Sequence, residues 1–465
     1  MIRNNLRLAI RVLKKNSLFS IINILGLAIG LAASIIIYLW VYDELSYDKF
    51  HENSERIFRV ERHMVLDGQL MEVPITSPPL APQMQNDYPA VEMFTRFSRE
   101  DVMIEDESKS LIKEQMFYAD SSFFKVFSIK LISGNAEDCL KNPFTVAISE
   151  SFAKKYFGNN VELGSLLNVN YSGQVKTYTV SAIFKDFPHN MHIKADIIGS
   201  FSTLYSIRHE MMMTGWMSSF HYSYIKLSKG VDAKEFESQL QEMVDKYFGP
   251  DIKNFLNVDN PRDFLKINLM PITKIHLNAN RVWEFEPPGS KMSVTVFSIV
   301  SILLLVIAGI NFMNLSSARA SRRALEVGVR KASGATRKQL IIQFLGESLM
   351  FSFLALALAF FFIELALPYF SVFTGKQITT TILLDGWNFP LISLAWIVTA
   401  FLSGIYPAFI LSSYKPVEVL KGKKSANGNQ LFRKVLVVGQ FAISIGLIVC
   451  ALSVYRQIEY INSKD

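Results

Sequence analysis

Apolar residues are gathered into five runs along this chain, at about 18–42, 294–312, 340–365, 391–411 and 435–454. Each is long enough to cross the ~30 Å apolar core of a bilayer as a helix. Between the first and second runs lie about 250 residues of a different pattern. There, Thr145–Ser149 and 176–184 carry the alternating or β-branched runs of strands. The stretches 150–156 and 233–247 have helical spacing, the latter burying Phe236, Leu240 and Val244. Asn142-Pro143, Phe187-Pro188 and Gly249-Pro250 are expected to punctuate the elements. The pattern predicts an α-helical membrane protein with a large mixed α/β extracytoplasmic domain inserted between the first and second transmembrane helices.

Charge orients this arrangement. Residues 1–17 form a basic amphipathic pattern, with Arg3, Arg7 and Arg11 against Ile2, Leu6, Ile10 and Leu13, expected to lie in the cytoplasmic interface of the membrane lipid. The first run is longer than the apolar part of a cleaved signal, so it is read as a span, 18–42. The segment 43–290 is then outside, the basic stretch after the second run inside, and 367–388 outside with Lys376 as its cation. The linker 415–434 is inside, bearing Lys415, Lys421, Lys423, Lys424, Arg433 and Lys434, and 435–465 holds a fifth span and a short outer tail. Every basic loop falls on one side. The formal charge of +7 is accounted for in this way and does not call for nucleic acid. Cys139 and Cys450 fall in separate compartments, so the exported domain relies on its core rather than on a disulfide.

The loop between spans two and three is the most distinctive stretch. Arg319, Arg322, Arg323, Arg330, Lys331, Arg337 and Lys338 stand against one acid, Glu326. It reads as a helix, about 319–339, built to be touched by another protein. Glu326 and the Arg330/Lys331 pair would fix orientation, and Gly328 and Gly334 would allow close backbone approach. In span one, Gly26, Gly30 and Ser34 put small residues on one face, a pattern that favours helix packing, expected against a second membrane subunit. Asn311, Asn314, Gln343 and Glu347 sit at span ends, where interhelical hydrogen bonding explains them better than a transport path. His189 and His192 lack further ligands nearby, and Met211–Met213 with Trp216 and Met217 read as a packed loop rather than a soft metal site. No G-x-x-x-x-G-K-[ST] phosphate loop and no catalytic signature occurs in the sequence. No cofactor is therefore expected in this chain, and no enzymatic activity.

The stretch Arg323-Ala324-Leu325-Glu326-Val327-Gly328-Val329-Arg330-Lys331-Ala332-Ser333-Gly334-Ala335 resembles the signature of MacB/FtsX-type ABC transporter permeases, with Ser333 departing from the usual Leu or Val. Further likeness lies in the stretches 117–124, 153–158 and 271–277, in Tyr406-Pro407-Ala408 and in 416–421. It is strongest to two-repeat permeases of Bacteroidetes, of which this chain would hold the first half plus the first helix of the second, as a fragment or a natural half-permease. The resemblance implies an FtsX-like permease region at 291–414 and a MacB-like core at 43–290 with two subdomains, one split around the other. It implies an inner-membrane subunit whose Arg323, Glu326, Gly328, Arg330, Lys331, Gly334 and Ala335 couple to a separate ABC ATPase, which would bind ATP and Mg. It further implies a second permease half or a homodimer, a periplasmic adaptor, and export or extraction of peptides, lipoproteins or amphipathic molecules. The alternatives it carries are a non-transporting regulator of cell-wall hydrolases and a membrane ligand sensor.

Overall fold

A computed structural model describes residues 17–66, 68–105, 111–158, 162–171, 173–256, 258–278, 281–318, 320–384, 386–413 and 427–463. The expected amphipathic segment 1–17 lies, but for Ser17, outside them, as does most of the linker 415–434. The chain divides into two compact units, Glu44–Lys291 and the remainder.

The second of these holds, among the described residues, five helices long and apolar enough to cross a membrane: Ser17–Ser46 (its last residues, from Glu44, belong to the other unit), Lys291–Ala318 (its first residue likewise), Arg337–Thr374, Asn388–Ser413 and Asn427–Asn462. All five extend beyond their apolar runs, the third and fifth furthest. The third was expected to end near Leu365 but continues through Pro368 to Thr374, closing on Gly375 with φ 67°. The fifth begins at Asn427, inside the expected linker, because the polar Asn-Gly-Asn-Gln lead is itself helical. Apolarity marks where a helix can meet lipid; backbone hydrogen bonding continues until a capping residue or a breaker ends it. Leu27, Leu31, Ile35, Ala308, Phe351, Ala355 and Ile363 share the core of this unit.

Unit Glu44–Lys291 is built on a sheet of twelve strands among the described residues. The main path runs Leu265–Pro271, Ile57–Leu66, His221–Leu227, Val91–Glu105, Leu111–Ala119, Ile197–Ser200, Thr145–Ser149, Gln174–Phe184, Leu131–Gly134. Pairing is antiparallel except where Ile197–Ser200 meets Leu111–Ala119 and Thr145–Ser149 meets Gln174–Phe184. One core, with Phe58, Val60, Phe236, Leu240, Val244 and Ile267, gathers the early and late parts of the segment. A second, with Val102, Phe152, Tyr178 and Leu204, gathers its middle. A third core, with Ile57, Phe123, Phe184, Tyr224 and Ile275, joins residues of both parts.

Local signals explain the elements. Ser149 caps Glu150–Phe157 by accepting from the Phe152 amide at 3.1 Å, and Asp232 caps Ala233–Gln239. Gly249-Pro250 does not interrupt the helical run: it opens helix Gly249–Leu256, where proline's missing N–H costs no hydrogen bond. The methionine-rich loop is divided. Met213 joins the middle core, while Trp216 and Met217 pack on the other, Trp216 stacking on Tyr247 at 4.4 Å. His192 is buried, with Nδ1 2.8 Å from Asp48 and Nε2 2.7 Å from the Tyr224 hydroxyl. Burial alone would raise the Asp48 carboxyl; the charge and hydrogen bonds of His192 and His51 hold it below its ordinary value.

Candidate functional site: the basic helix and the span ends

The basic segment forms a helix only over Ala320–Ala332, and residues 333–336 then turn into helix Arg337–Thr374. The expected single helix to residue 339 is therefore broken, for two reasons. Gly334 adopts φ 91°, which L side chains avoid. Thr336 then starts a new helix through a capping box, its hydroxyl accepting from the Gln339 amide while the Gln339 side chain accepts from the Thr336 amide. The turn is closed by Gly334 N–H to Lys331 O and Ala335 N–H to Arg330 O, both 3.0 Å. A Cβ at Gly334 would meet nothing within 4 Å. Within this chain the glycine is required for its backbone angle.

The helix is fastened to its own unit by the cations that the sequence assigned to docking. Glu326 pairs with Arg330 one turn on at 2.8 Å. Arg330 donates to the side-chain oxygen of Gln343, which donates to Glu347 at 3.1 Å, so a polar chain enters helix Arg337–Thr374. Gln343 and Glu347 are both buried. Lys331 Nζ donates to the Ser412 carbonyl at 2.6 Å, tying the same helix to the end of Asn388–Ser413. Beneath these bonds Val327, 1% exposed, packs with Leu340, Phe344 and Ala408, and Gly328 beside it is buried. Arg323 lies on the helix, and its side chain is outside the described set.

Among the described side chains of the helix, two aliphatic ones face outward beside the exposed Glu326. Leu325 and Val329, four residues apart on one face, are 58% and 52% exposed. Reading the segment by charge missed them; the spacing of Leu325, Val327 and Val329 was the available signal. Arg330 and Lys331 hold the helix to its own unit, while Leu325 and Val329 stay uncovered.

The stripe Gly26, Gly30, Ser34 is occupied by helix Lys291–Ala318 of the same chain, not by another permease half. A Cβ on Gly30 would fall 2.5 Å from that of Ala308, and one on Gly26 3.1 Å from Asn311 Nδ2. Ser34 and Ser301 exchange hydrogen bonds, Ser34 Oγ to Ser301 O at 2.9 Å and Ser301 Oγ to Ser34 O at 3.1 Å. Lys376 pairs with buried Asp43 at 2.5 Å, tying the turn after Arg337–Thr374 to the first helix.

Apolar helices of membrane-crossing length, a long inserted α/β segment and a short basic helix pinned between two helix ends are the parts of a multi-pass membrane protein. Two family models match it. The MacB-like periplasmic core domain covers residues 20–243, and the FtsX-like permease C-terminal domain covers 298–416. The chain belongs to the MacB/FtsX-type permeases. Among curated proteins it is similar to the macrolide export ATP-binding/permease protein MacB of Bdellovibrio bacteriovorus, 25% identical over 42% of this chain and 27% of that protein. It is also similar to MacB of Burkholderia pseudomallei, 22% identical over 64% of this chain and 41% of that protein. It thus spans well under half the length of these relatives. Among solved structures, a permease domain from Porphyromonas gingivalis aligns at TM-score 0.40 and 22% identity, covering 53% of this chain and 99% of that one. The periplasmic region of MacB from Actinobacillus actinomycetemcomitans aligns at TM-score 0.34 and 15% identity, covering 48% and 91%.

Proposed function

We propose that this chain is the membrane subunit of an ABC system of the inner membrane, with its N-terminus in the cytoplasm and residues 44–291 in the periplasm. A separate ATPase binds ATP and Mg and docks on the Ala320–Ala332 helix. Its closure is relayed to the span ends and from there to the exported segment, for export or extraction of peptide, lipoprotein or amphipathic substrates. A second permease half or a second copy completes the membrane assembly, and a periplasmic adaptor receives what is moved.

The observation that carries this reading is the divided character of the short helix. Its inner side is bonded to two span ends through Arg330–Gln343–Glu347 and Lys331–Ser412. Its outer side keeps Leu325 and Val329 uncovered. A loop that only set topology would need neither arrangement. A force applied to the apolar face passes directly into two long helices.

The test is co-purification from detergent-solubilised membranes. The wild-type chain is expected to bring an ATPase with it, and ATP turnover to vanish when that subunit is removed. A Leu325→Asp/Val329→Asp variant should lose the ATPase at least about tenfold, since two buried aliphatic contacts contribute roughly 1.5–3 kcal/mol each, while melting like wild type. Undiminished capture by that variant would leave the helix as a topology signal only.

A further inference from the structure

Unit Glu44–Lys291 exposes a tryptophan in a backbone conformation that bulky residues rarely adopt. Trp283 has φ 68° and is 57% exposed. The angle is imposed from both sides. Arg281 pairs with Glu61 at 3.1 Å and Glu72 at 2.7 Å. Glu284 receives both terminal nitrogens of Arg59, at 2.7 and 2.6 Å. The Trp283 carbonyl accepts from the Tyr222 hydroxyl at 2.5 Å, and the Phe285 ring lies 3.7 Å from Tyr222 and 4.8 Å from Phe97. Arg281, Glu284 and Phe285 are paired or packed, yet the indole is exposed, and Val282 beside it is half exposed.

The place where this happens is where the chain leaves the unit. Glu44 is its first residue and Lys291 its last. A Cβ on Gly289 would lie 2.6 Å from the Glu44 carboxylate, and Pro287 and Pro288 line one small cavity with Tyr47 and His276. Entry and exit therefore lie side by side. Leu45 and Phe50 are exposed in the entering segment, with the exposed Lys49 between them. Eight residues after Trp283 the helix Lys291–Ala318 begins, a stretch that reaches at most about 29 Å when fully extended.

We propose that Trp283, with Val282 and Phe50, is seated in the headgroup–acyl boundary of the outer leaflet and anchors the exported unit to the lipid surface. An exposed amphipathic indole close in sequence to an apolar helix is what membrane interfaces select. Lipid is the occupant because both ends of the unit continue directly into helices of membrane-crossing length. The strained angle is the cost of turning the ring toward that boundary, and the ion pairs on either side hold it there. This inference rests on the topology proposed above.

The full chain is reconstituted into vesicles of phosphatidylcholine brominated near the headgroup end of the acyl chain. Its fluorescence is compared with that of Trp283→Phe. The difference emission, which belongs to Trp283, should lose at least half its intensity to brominated lipid and resist aqueous iodide. Iodide quenching without lipid quenching overturns the proposal, and so does protection from both, which would mean a protein cover. Trp40 and Trp396 lie on apolar helices and must be quenched by the same lipid; if they are not, the membrane reading itself fails, separately from the anchor. Should Trp283→Phe misfold, Phe50→Trp adds an indole at the same boundary, and its extra emission must be quenched by the lipid in the same way.

Discussion

At Gly30 the added carbon of even an alanine would fall 2.5 Å from the Cβ of Ala308. Helices in lipid gain little from apolar burial and depend on such close approach. Gly30→Leu is expected to destabilise the unit by about 1–3 kcal/mol, read as a lower melting temperature in detergent, with Gly26→Ala milder because the Asn311 side chain can yield. In unit Glu44–Lys291, His221 is fully buried, and burial, with Arg208 and Arg96 nearby, pushes its imidazole down to about 3. The unfolded chain takes up a proton near pH 6.5 that the folded one refuses. The unfolded state therefore binds more protons in this window, and stability is full above pH 6.5 and falls as pH drops toward 3. Between pH 6.5 and 5 the loss is about 2 kcal/mol. Unfolding followed by the emission of buried aromatic residues across that range should show it, and His221→Phe should flatten it. None of this is legible in the sequence around His221, which reads only as a strand; the proximity of Arg96 and Arg208 is a product of the sheet register and the loop above it.

The five long helices were legible because apolar length is a property of the sequence itself. The break at 333–336 was legible too: Thr336 and Gln339 spell a capping box, and a glycine two residues before it marks a stop. The run of cations drew attention away from both. Which cations would turn inward could not be read, because that depends on Gln343, Glu347 and Ser412, which other helices deliver. The consequence at this scale concerns the attachment of Ala320–Ala332. Arg330→Ala leaves the Gln343–Glu347 pair buried without its cation and should cost about 1–3 kcal/mol. Hydrogen exchange should quicken across 320–332 while the amides of Arg337–Thr374 stay protected; unchanged exchange would mean that Val327 packing alone holds the helix.

For the whole molecule, the structure divides the chain into two units at 43/44 and 291/292. The strand order of the sheet was beyond sequence reading, since it joins Ile57–Leu66 to strands more than 150 residues away, His221–Leu227 and Leu265–Pro271. A membrane-impermeant tag at Lys234 is expected to react in intact spheroplasts and one at Ser321 only after permeabilisation. Reaction at Ser321 in intact cells would reverse the proposed orientation.

Helix Arg337–Thr374 has 38 residues, so it is a rod about 57 Å long, nearly twice the ~30 Å bilayer core. Its basal end holds Arg337 and the contact to Arg330, and its far end the turn that carries Lys376 to Asp43. Rods convert rotation into displacement in proportion to their length. A tilt of about 10° applied at the basal end sweeps the opposite tip through about 10 Å, a travel comparable to the width of one helix. Small angular strokes at the short helix are geometrically sufficient for large excursions at the other side of the bilayer.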